Sequence, residues 1–232
     1  MYIPNINFKY WLGKWNWEGT HTVYTNKNLK RYSDFNGSVK QCSKEIIKLV
    51  SQSNLSDAEI LKVIDLINHW GGKTSRQFYS RNKKNNFLSP RDKIQSNLDI
   101  YKKSINLAKT NSEKAFSEFC KIESIGPSFS GKHAMFWSKY NLIILDNKIA
   151  GCFGYTSPNQ LLKNHTYKEL LESIKLIMIN NKLSSPTDIE RALFCFHNNF
   201  FLNDNKGWKT HTDKTDYNEA LRISKFLKLL PT

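Results

Sequence analysis

The sequence has only four cysteines, and they stand far apart along its 232 residues: Cys42, Cys120, Cys152 and Cys195. Without a CxxC pair or a close grouping of Cys and His, it contains no recognisable zinc or iron–sulfur motif. We therefore predict no metal ion and no other cofactor, and we expect the cysteines to be buried thiols.

Long apolar runs are also missing. No stretch approaches the roughly 18 to 20 consecutive apolar residues that a membrane-spanning helix needs. The N-terminal residues, MYIPNINFKYWLGKW, lack the basic and then apolar order of a signal peptide. From these two absences we expect a cytoplasmic protein that does not enter the membrane. Hydrophobic residues make up 39% of the chain, which is enough for a substantial core.

Acidic residues are scarce relative to basic ones. The chain has 20 Asp and Glu against 35 Lys and Arg, which gives a formal charge of +15. A polyanion such as a nucleic acid is the natural partner of a basic surface. However, the chain is also rich in Asn and Ile, which A+T-rich coding would produce together with Lys. The charge alone therefore favours a nucleic-acid partner only modestly.

Alternating apolar patterns long enough for a sheet are absent, and the hydrophobic spacing is helical. Residues 56–69 predict a helix with Ser56 as N-cap and Glu59 completing a capping box. Other segments with a plausible cap and an apolar face are residues 89–110, 166–180, 185–200 and 215–230. We predict an all-α fold.

The N-terminal part of the chain differs from the rest. Residues 1–38 are rich in aromatic residues and show no regular pattern, whereas residues 39–232 read as one helical domain. We expect the tryptophans of WLGKWNW to fold back and seal the core. A surface that stacks on bases is the alternative for them.

A central stretch, KIESIGPSFSGKHAMFW, predicts two short helices joined by a tight turn. The first helix is expected to close at residues 124–126 and the second to open at Gly131, with PSFS between them. Free backbone N–H groups at the start of a helix, together with its dipole, bind phosphate without reading sequence. By itself, such a turn is more often an ordinary connection between helices.

The order of residues in this stretch resembles the hairpin of the helix-hairpin-helix DNA glycosylases. The resemblance is carried by IESIG followed by GKHA, and by the downstream LIILD, where an apolar run ends in an aspartate. The helical layout around it, including WGGKTSRQFY and PTDIERALF, is similar to bacterial proteins of the 8-oxoguanine glycosylase fold. In layout the resemblance covers residues 40–230, and its specific motifs lie within residues 119–150.

This resemblance implies two helical lobes around a cleft, with the helix-hairpin-helix motif at about residues 112–139. It also implies a catalytic lysine at Lys132 and a catalytic aspartate at Asp146. The two are only 146 − 132 = 14 positions apart, fewer than in better-known relatives, so the helix after Lys132 must be short.

The chemistry of base excision requires these two residue types. Cleavage of an N-glycosidic bond leaves positive charge on the deoxyribose, which a nearby carboxylate such as Asp146 stabilises. An amine such as Lys132 can attack C1′ and form a Schiff base, provided that it first loses its proton. Taken singly, Lys132 is explained equally well as a phosphate-contacting surface lysine and Asp146 as a helix N-cap. Their joint occurrence in the order of the family favours catalysis.

Enzymes of this kind rotate the target base out of the DNA stack into a pocket, and the resemblance implies further residues that hold the DNA in this state. We expect contacts to the DNA backbone from residues of the turn and of the basic stretch before it: Gly126, Ser128, Ser130, Gly131, His133, Arg76 and Arg81. By position alone, the candidates for the base pocket are Trp70, Gln77 and Phe78.

The resemblance therefore implies a monomeric DNA N-glycosylase that leaves an abasic site. Whether the enzyme also cleaves the DNA strand as an abasic-site lyase stays open. Two substrate classes stay open: an oxidised purine such as 8-oxoguanine, and the glucosylated 5-hydroxymethylcytosine of T-even phage DNA, removed in antiphage defence. We favour the second slightly. The rival functions are a non-catalytic protein that binds DNA through the hairpin and an RNA-binding module, against which the absence of RRM-type and KH-type signatures counts weakly.

Overall fold

The computed structural model describes residues 6–18, 35–71, 90–123 and 125–200. These residues form eleven helices and no strand, which confirms the predicted all-α class. The helices are α1 (Phe8–Gly13), α2 (Val39–Val50), α3 (Asp57–Trp70), α4 (Pro90–Ser96), α5 (Leu98–Thr110), α6 (Ser112–Phe119), α7 (Pro127–Trp137), α8 (Asn147–Cys152), α9 (Pro158–Asn164), α10 (Tyr167–Asn181) and α11 (Pro186–Phe200). Within the described part of the chain, no helix combines the length and the apolar character needed to cross a membrane.

Capping boxes mark the start of α2, α3 and α10. The side chains of Ser38, Ser56 and Thr166 each accept a hydrogen bond from the backbone N–H three residues later. The Gln or Glu at that later position accepts, through its side chain, a hydrogen bond from the backbone N–H of the cap residue. Such capping boxes satisfy two of the amide groups that a helix start leaves open. The predicted helix at residues 56–69 is confirmed, with Ser56 as its cap.

The segment 89–110, predicted as one helix, is two helices in the structure. The Asn97 backbone leaves the helical region, at φ −124° and ψ 36°, between α4 and α5. Its side-chain Nδ2 donates to the carbonyl of Lys93 at 2.8 Å. A short amide side chain that bonds to nearby backbone competes with the helix, which is why Asn interrupts an otherwise continuous apolar stripe. The prediction of a single helix here was wrong.

The chain divides into two compact units. The first contains the described residues up to Trp15 and those from Ile143 onward. In this unit α1 packs on α11, with the Trp11 and Phe196 ring centroids 5.7 Å apart in an edge-on contact. The later part of this unit begins at Ile143, which is bonded to Tyr167, the first residue of α10. The Tyr167 hydroxyl accepts a hydrogen bond from the Ile143 amide and donates one to the Ile143 carbonyl.

The N-terminal segment thus differs from its expected form. Residues 1–38 were expected to be irregular, yet Phe8–Gly13 is helical, with Asn7 accepting a hydrogen bond from the Tyr10 amide as its cap. Phe8 and Trp11 are buried on α1. Residues 16–18 belong to the second unit, so the aromatic-rich segment contributes to both units.

The second unit spans Asn16–Leu142 and contains α2 to α7. A hydrogen-bonded trio lies in its core. The Trp137 indole N–H donates to the Tyr101 hydroxyl at 2.8 Å, and the same hydroxyl lies 2.8 Å from Nδ1 of His133. Burial, assisted by the charge of Lys132, lowers the pKa of His133 to about 3. The ring is therefore neutral, and its Nδ1 can accept a hydrogen bond from the Tyr101 hydroxyl. The trio connects α5 to α7 without leaving a buried polar group unsatisfied.

Candidate functional site

The turn between α6 and α7 has a different form from the predicted one. Helix α7 begins at Pro127, with Gly126 as an extended N-cap at φ −75° and ψ 177°. The PSFS residues are therefore the first turn of α7, and the expectation that this helix opens at Gly131 was wrong. Proline is favoured at the first helical position, since its φ is already helical and its missing N–H would be unpaired there. Helix α6 likewise ends at Phe119, before the expected 124–126.

Lys132 consequently lies in the second turn of α7 and not at its N-terminus. Its ammonium is 3.2 Å from the Ser128 hydroxyl and 5.3 Å from the centroid of the Phe129 ring. All three side chains are half-buried, and Gly126 beside them is exposed. The effect of a helix dipole is strongest in the first turn and fades beyond it, so Lys132 lies past the position at which the dipole acts most strongly. Only five residues of α7 follow Lys132, in line with the short spacing to Asp146.

Three of the predicted backbone-contacting residues are buried in the second unit. Ser130 donates to the carbonyl of Ile125 at 3.3 Å, and His133 is 2% exposed and bonded to Tyr101. Gly131 is buried as well. The side chains of Ser130 and His133 therefore contribute to the turn and the core, whereas Gly126 is exposed and Ser128 half-exposed, so that a phosphate can reach them. The phosphate-binding role of the turn stays a prediction for those two residues.

Trp70, predicted for the base pocket, is a core residue of the second unit. It is 5% exposed, its indole N–H donates to the Ser43 hydroxyl at 2.9 Å, and its ring packs edge-on against Phe136 at 5.1 Å. Its ring is therefore no exposed platform on which a base can stack. The other predicted pocket and backbone residues, Gln77, Phe78, Arg76 and Arg81, lie outside the described residues.

Asp146 belongs to the first unit, where it is the N-cap of α8. A single carboxylate oxygen, Oδ1, accepts both cap hydrogen bonds, from the amides of Lys148 at 2.9 Å and Ile149 at 3.0 Å. No described residue donates to the other oxygen, Oδ2. The side chain is half-exposed. The capping role weighed for Asp146 is therefore real, but it uses only half of the carboxylate and leaves an acceptor for a ligand.

Other polar side chains of this unit lie close to the start of α8. The Lys148 ammonium is 4.1 Å from the centroid of the Phe194 ring and donates a hydrogen bond to Oδ1 of Asn198. Phe194 in turn meets Trp15 edge-on at 5.6 Å. Lys148, Phe194, Asn198 and Trp15 are all half-buried. Helices α8 and α11 therefore form a surface that combines a fixed cation, an amide and aromatic rings.

His197 packs closely on the same part of α8. A Cβ atom placed on Gly151 would lie 2.7 Å from Nε2 of His197, so only glycine leaves room for the imidazole in this position. The pKa of His197 is lowered to about 4, first by burial and then by the charge of Lys148, with Asp146 opposing the shift. The imidazole is consequently neutral at pH 7, when it can both donate and accept a hydrogen bond.

Sequence reasoning missed the polar residues that lie around Asp146. Lys148, His197 and Asn198 occur in segments whose helical character was recognised, yet their proximity depends on how α8 packs against α11, about 50 positions later. Local patterns hold no signal for such a contact.

The lysine and aspartate of the motif belong to different units, Lys132 to the second and Asp146 to the first.

Metal and thiol chemistry have no support among the described residues. These contain no group of three or more His, Cys, Asp or Glu side chains placed to hold a metal ion. All four cysteines are thiols. Burial raises the pKa of Cys42 and of Cys195 to about 12, and it also raises the pKa of Cys152, so the reactive thiolate form is disfavoured.

Comparison with known proteins adds no further identification. No family model matches the chain, and no curated protein or solved structure matches it.

Proposed function

We propose that this protein is a DNA N-glycosylase that excises a modified base from a flipped-out nucleotide and leaves an abasic site. The observation that supports this most directly is Asp146. It follows the apolar run LIIL, as the motif requires, and it is a half-exposed carboxylate with an oxygen, Oδ2, that no described residue uses.

The chemistry assigned to Asp146 is electrostatic. As the bond between C1′ and the base nitrogen breaks, the base leaves with the electron pair and the sugar becomes cationic. A carboxylate held near C1′ stabilises this charge more than it stabilises the bound substrate. The two cap hydrogen bonds fix the orientation of the carboxylate, so it needs little reorganisation when the charge develops.

Lys132 is the proposed amine. In this role its neutral nitrogen bonds to C1′ as the base departs with the electron pair of the N-glycosidic bond. The C1′–O4′ bond then breaks, O4′ takes up a proton, and the nitrogen lone pair forms the C=N bond of the Schiff base. Its support is its place in the residue order of the motif and its half-exposed position beside Ser128. If water attacks C1′ instead, Lys132 contacts the DNA backbone.

The substrate class rests on the resemblance alone. Glucosylated 5-hydroxymethylcytosine is the substrate that we favour, which would make the protein an antiphage defence enzyme. An oxidised purine such as 8-oxoguanine is the alternative, for which the protein would act in repair.

A single assay tests these possibilities together. The protein is incubated with duplexes that carry glucosylated 5-hydroxymethylcytosine, 8-oxoguanine or only ordinary bases, and abasic sites are detected by alkaline strand cleavage. Cleavage confined to one modified duplex identifies the substrate class. Tight binding to all duplexes without any cleavage would instead indicate a non-catalytic DNA-binding protein.

That second function has a specific observation in its favour. The N-cap bonds of Asp146 and the burial of Ser130 and His133 give these residues structural roles that need no catalysis. The basic composition, +15 overall, would then serve binding alone.

A further inference from the structure

Lys93, on α4, is the only buried lysine among the residues that the structure describes. Its side chain is 10% exposed, whereas the other lysines that form ion pairs in the second unit are 39% to 65% exposed. A lysine can cover its apolar stem in this way while its ammonium reaches the surface. Because the stem is already held by packing, little side-chain entropy is lost when the ammonium binds a ligand.

The ammonium of Lys93 has a single partner among the described residues. Its Nζ lies 2.8 Å from Oε2 of Glu123, and neither side chain makes another hydrogen bond or ion pair there. The Glu123 side chain is 70% exposed. An ion pair with one partner largely in water is weak, because water solvates the carboxylate nearly as well as the lysine does. Glu123 can therefore leave Lys93 at little cost, and another anion can take its place.

Glu123 lies directly before the start of α7. The Ile125 amide donates to the Ile122 carbonyl at 3.1 Å, which closes a turn that contains Glu123. Gly126 follows as the exposed N-cap of α7, and this helix has no side-chain cap and no acidic residue in its first turn. Glu123 is therefore the last acidic side chain before Gly126 and Ser128, the two residues for which a phosphate contact stays predicted.

The charges of the pair determine what can bind there. While Glu123 is in place, its negative charge cancels that of Lys93, so a phosphate gains little from the pair. Once the carboxylate has turned into water, the ammonium offers its three N–H donors to another anion. A DNA strand carries a phosphate at every nucleotide. A strand that contacts Gly126 or Ser128 therefore brings neighbouring phosphates past Glu123, where one of them can replace the carboxylate.

We infer that Lys93 binds a phosphodiester of DNA and that Glu123 occupies this position when DNA is absent. The carboxylate is then a competitor of DNA within the protein itself, and it lowers the affinity for every duplex. The inference rests on the part of the proposed function that places the turn before α7 against DNA. Because the exchange involves the backbone and no base, it acts equally on modified and ordinary duplexes.

The test measures affinity for an ordinary duplex by fluorescence anisotropy at constant salt. Glu123→Gln keeps the length of the side chain and removes the competing charge, so it should raise the affinity about two- to fivefold, the strength of a surface ion pair. Lys93→Met keeps an apolar stem without the ammonium and should lower the affinity. In the Lys93→Met protein, the added Glu123→Gln substitution should give a clearly smaller gain, because no cation is left to release.

Simple repulsion between Glu123 and DNA predicts the reverse order of these gains. Without Lys93 the charge of Glu123 would be uncompensated, so its removal would then help more and not less. The matched control is the pair of Asp57 on α3 and Lys102 on α5, which belongs to the same unit and does not involve the turn. Asp57→Asn releases a lysine in the same way and should leave the affinity unchanged. Thermal melting by circular dichroism checks that each variant is folded.

Three results would overturn the inference. Lower affinity of folded Glu123→Gln would mean that the ion pair holds the turn in place. A gain from Glu123→Gln that is equal or larger in the Lys93→Met protein would leave only repulsion. An equal gain from Asp57→Asn would show a general effect of net charge.

The proposed enzymatic function is tested separately, because these measurements need no base excision. If no modified duplex yields abasic sites but the gain from Glu123→Gln depends on Lys93, the exchange stands and the enzymatic function falls. If a base is excised but Glu123→Gln gives no gain in affinity, the exchange falls and the enzymatic function stands.

Discussion

At Asp146, one oxygen of a carboxylate caps a helix and the other is open to a ligand, so substitutions can separate the two roles. Asp146→Asn keeps an N-cap acceptor, because Asn caps helices about as well as Asp, but it removes the charge. It should lower the single-turnover rate of base excision by roughly a hundredfold or more, and DNA binding should be kept or strengthened.

The control for this experiment is a cap without a catalytic role. Ser157 caps α9 in the same unit by accepting from the Gln160 amide. Ser157→Ala should destabilise the protein by about 1 kcal/mol and leave excision unchanged. Nearly full activity in a folded Asp146→Asn protein would show that another residue is the catalytic carboxylate.

For Lys132, the decisive measurement is covalent trapping. If its amine attacks C1′, borohydride should reduce the Schiff base to a stable protein–DNA adduct, visible by gel shift under denaturing conditions. Lys132→Ala should remove this adduct, whereas Lys102→Ala, on α5 of the same unit, should not. Base release by the unmodified protein without any adduct would make water the nucleophile.

At the scale of helix packing, the trio that connects α5 to α7 gives a stability prediction. Tyr101→Phe removes one hydroxyl, yet it leaves the Trp137 N–H and the His133 ring nitrogen without their partner. We expect a loss of roughly 2 to 4 kcal/mol in the free energy of unfolding, measured by urea denaturation. Tyr155→Phe, at a half-exposed ring, should change it by less than about 0.5 kcal/mol. Equal effects of the two substitutions would argue against an energetic role for the trio.

The same trio makes stability depend on pH. The pKa of His133 in the folded protein, about 3, lies below its ordinary value of 6.5, so the unfolded chain binds a proton that the folded protein does not. The contribution of this pKa shift to the free energy of unfolding is therefore present above about pH 6.5, and it is lost as the pH falls toward 3. Between pH 7 and pH 5 the loss should be about 2 kcal/mol.

Urea denaturation at several pH values measures this slope. His197, whose pKa is also lowered, contributes in the same direction, so the comparison that isolates His133 is with His133→Gln. This variant should show a clearly shallower loss of stability on acidification. An unchanged slope would mean that His133 is not the main titrating group.

These helices also show how far local patterns determine structure. The start of α3 was predictable because Ser56 and Glu59 form a capping box from four consecutive residues. The start of α7 was misplaced because the glycine at 131 was given more weight than the proline at 127. The contact of Lys148 with Asn198 was not predictable, because it depends on tertiary packing between segments 50 residues apart.

For the whole molecule, the net charge predicts how DNA binding responds to salt. Each phosphate neutralised by a Lys or Arg contributes about 0.9 to the slope of log affinity against log salt. With a charge of +15, we expect affinity for an arbitrary duplex to fall at least a hundredfold between 50 and 200 mM salt, which corresponds to about four contacts. Fluorescence anisotropy measures this. A flat response would remove DNA as the partner, and Lys132→Ala should keep most of the affinity.

Helix α1 belongs to the same unit as α11, although the whole second unit lies between them in the sequence. During synthesis α1 leaves the ribosome long before its packing partner exists. At about 5 to 20 residues per second, the wait before α11 is made lasts roughly 10 to 35 s. Throughout that time Phe8 and Trp11, buried in the finished protein, have no α11 to cover them. We therefore expect the apolar face of α1 to stay accessible to other apolar surfaces, such as those of a chaperone, until α11 has been made.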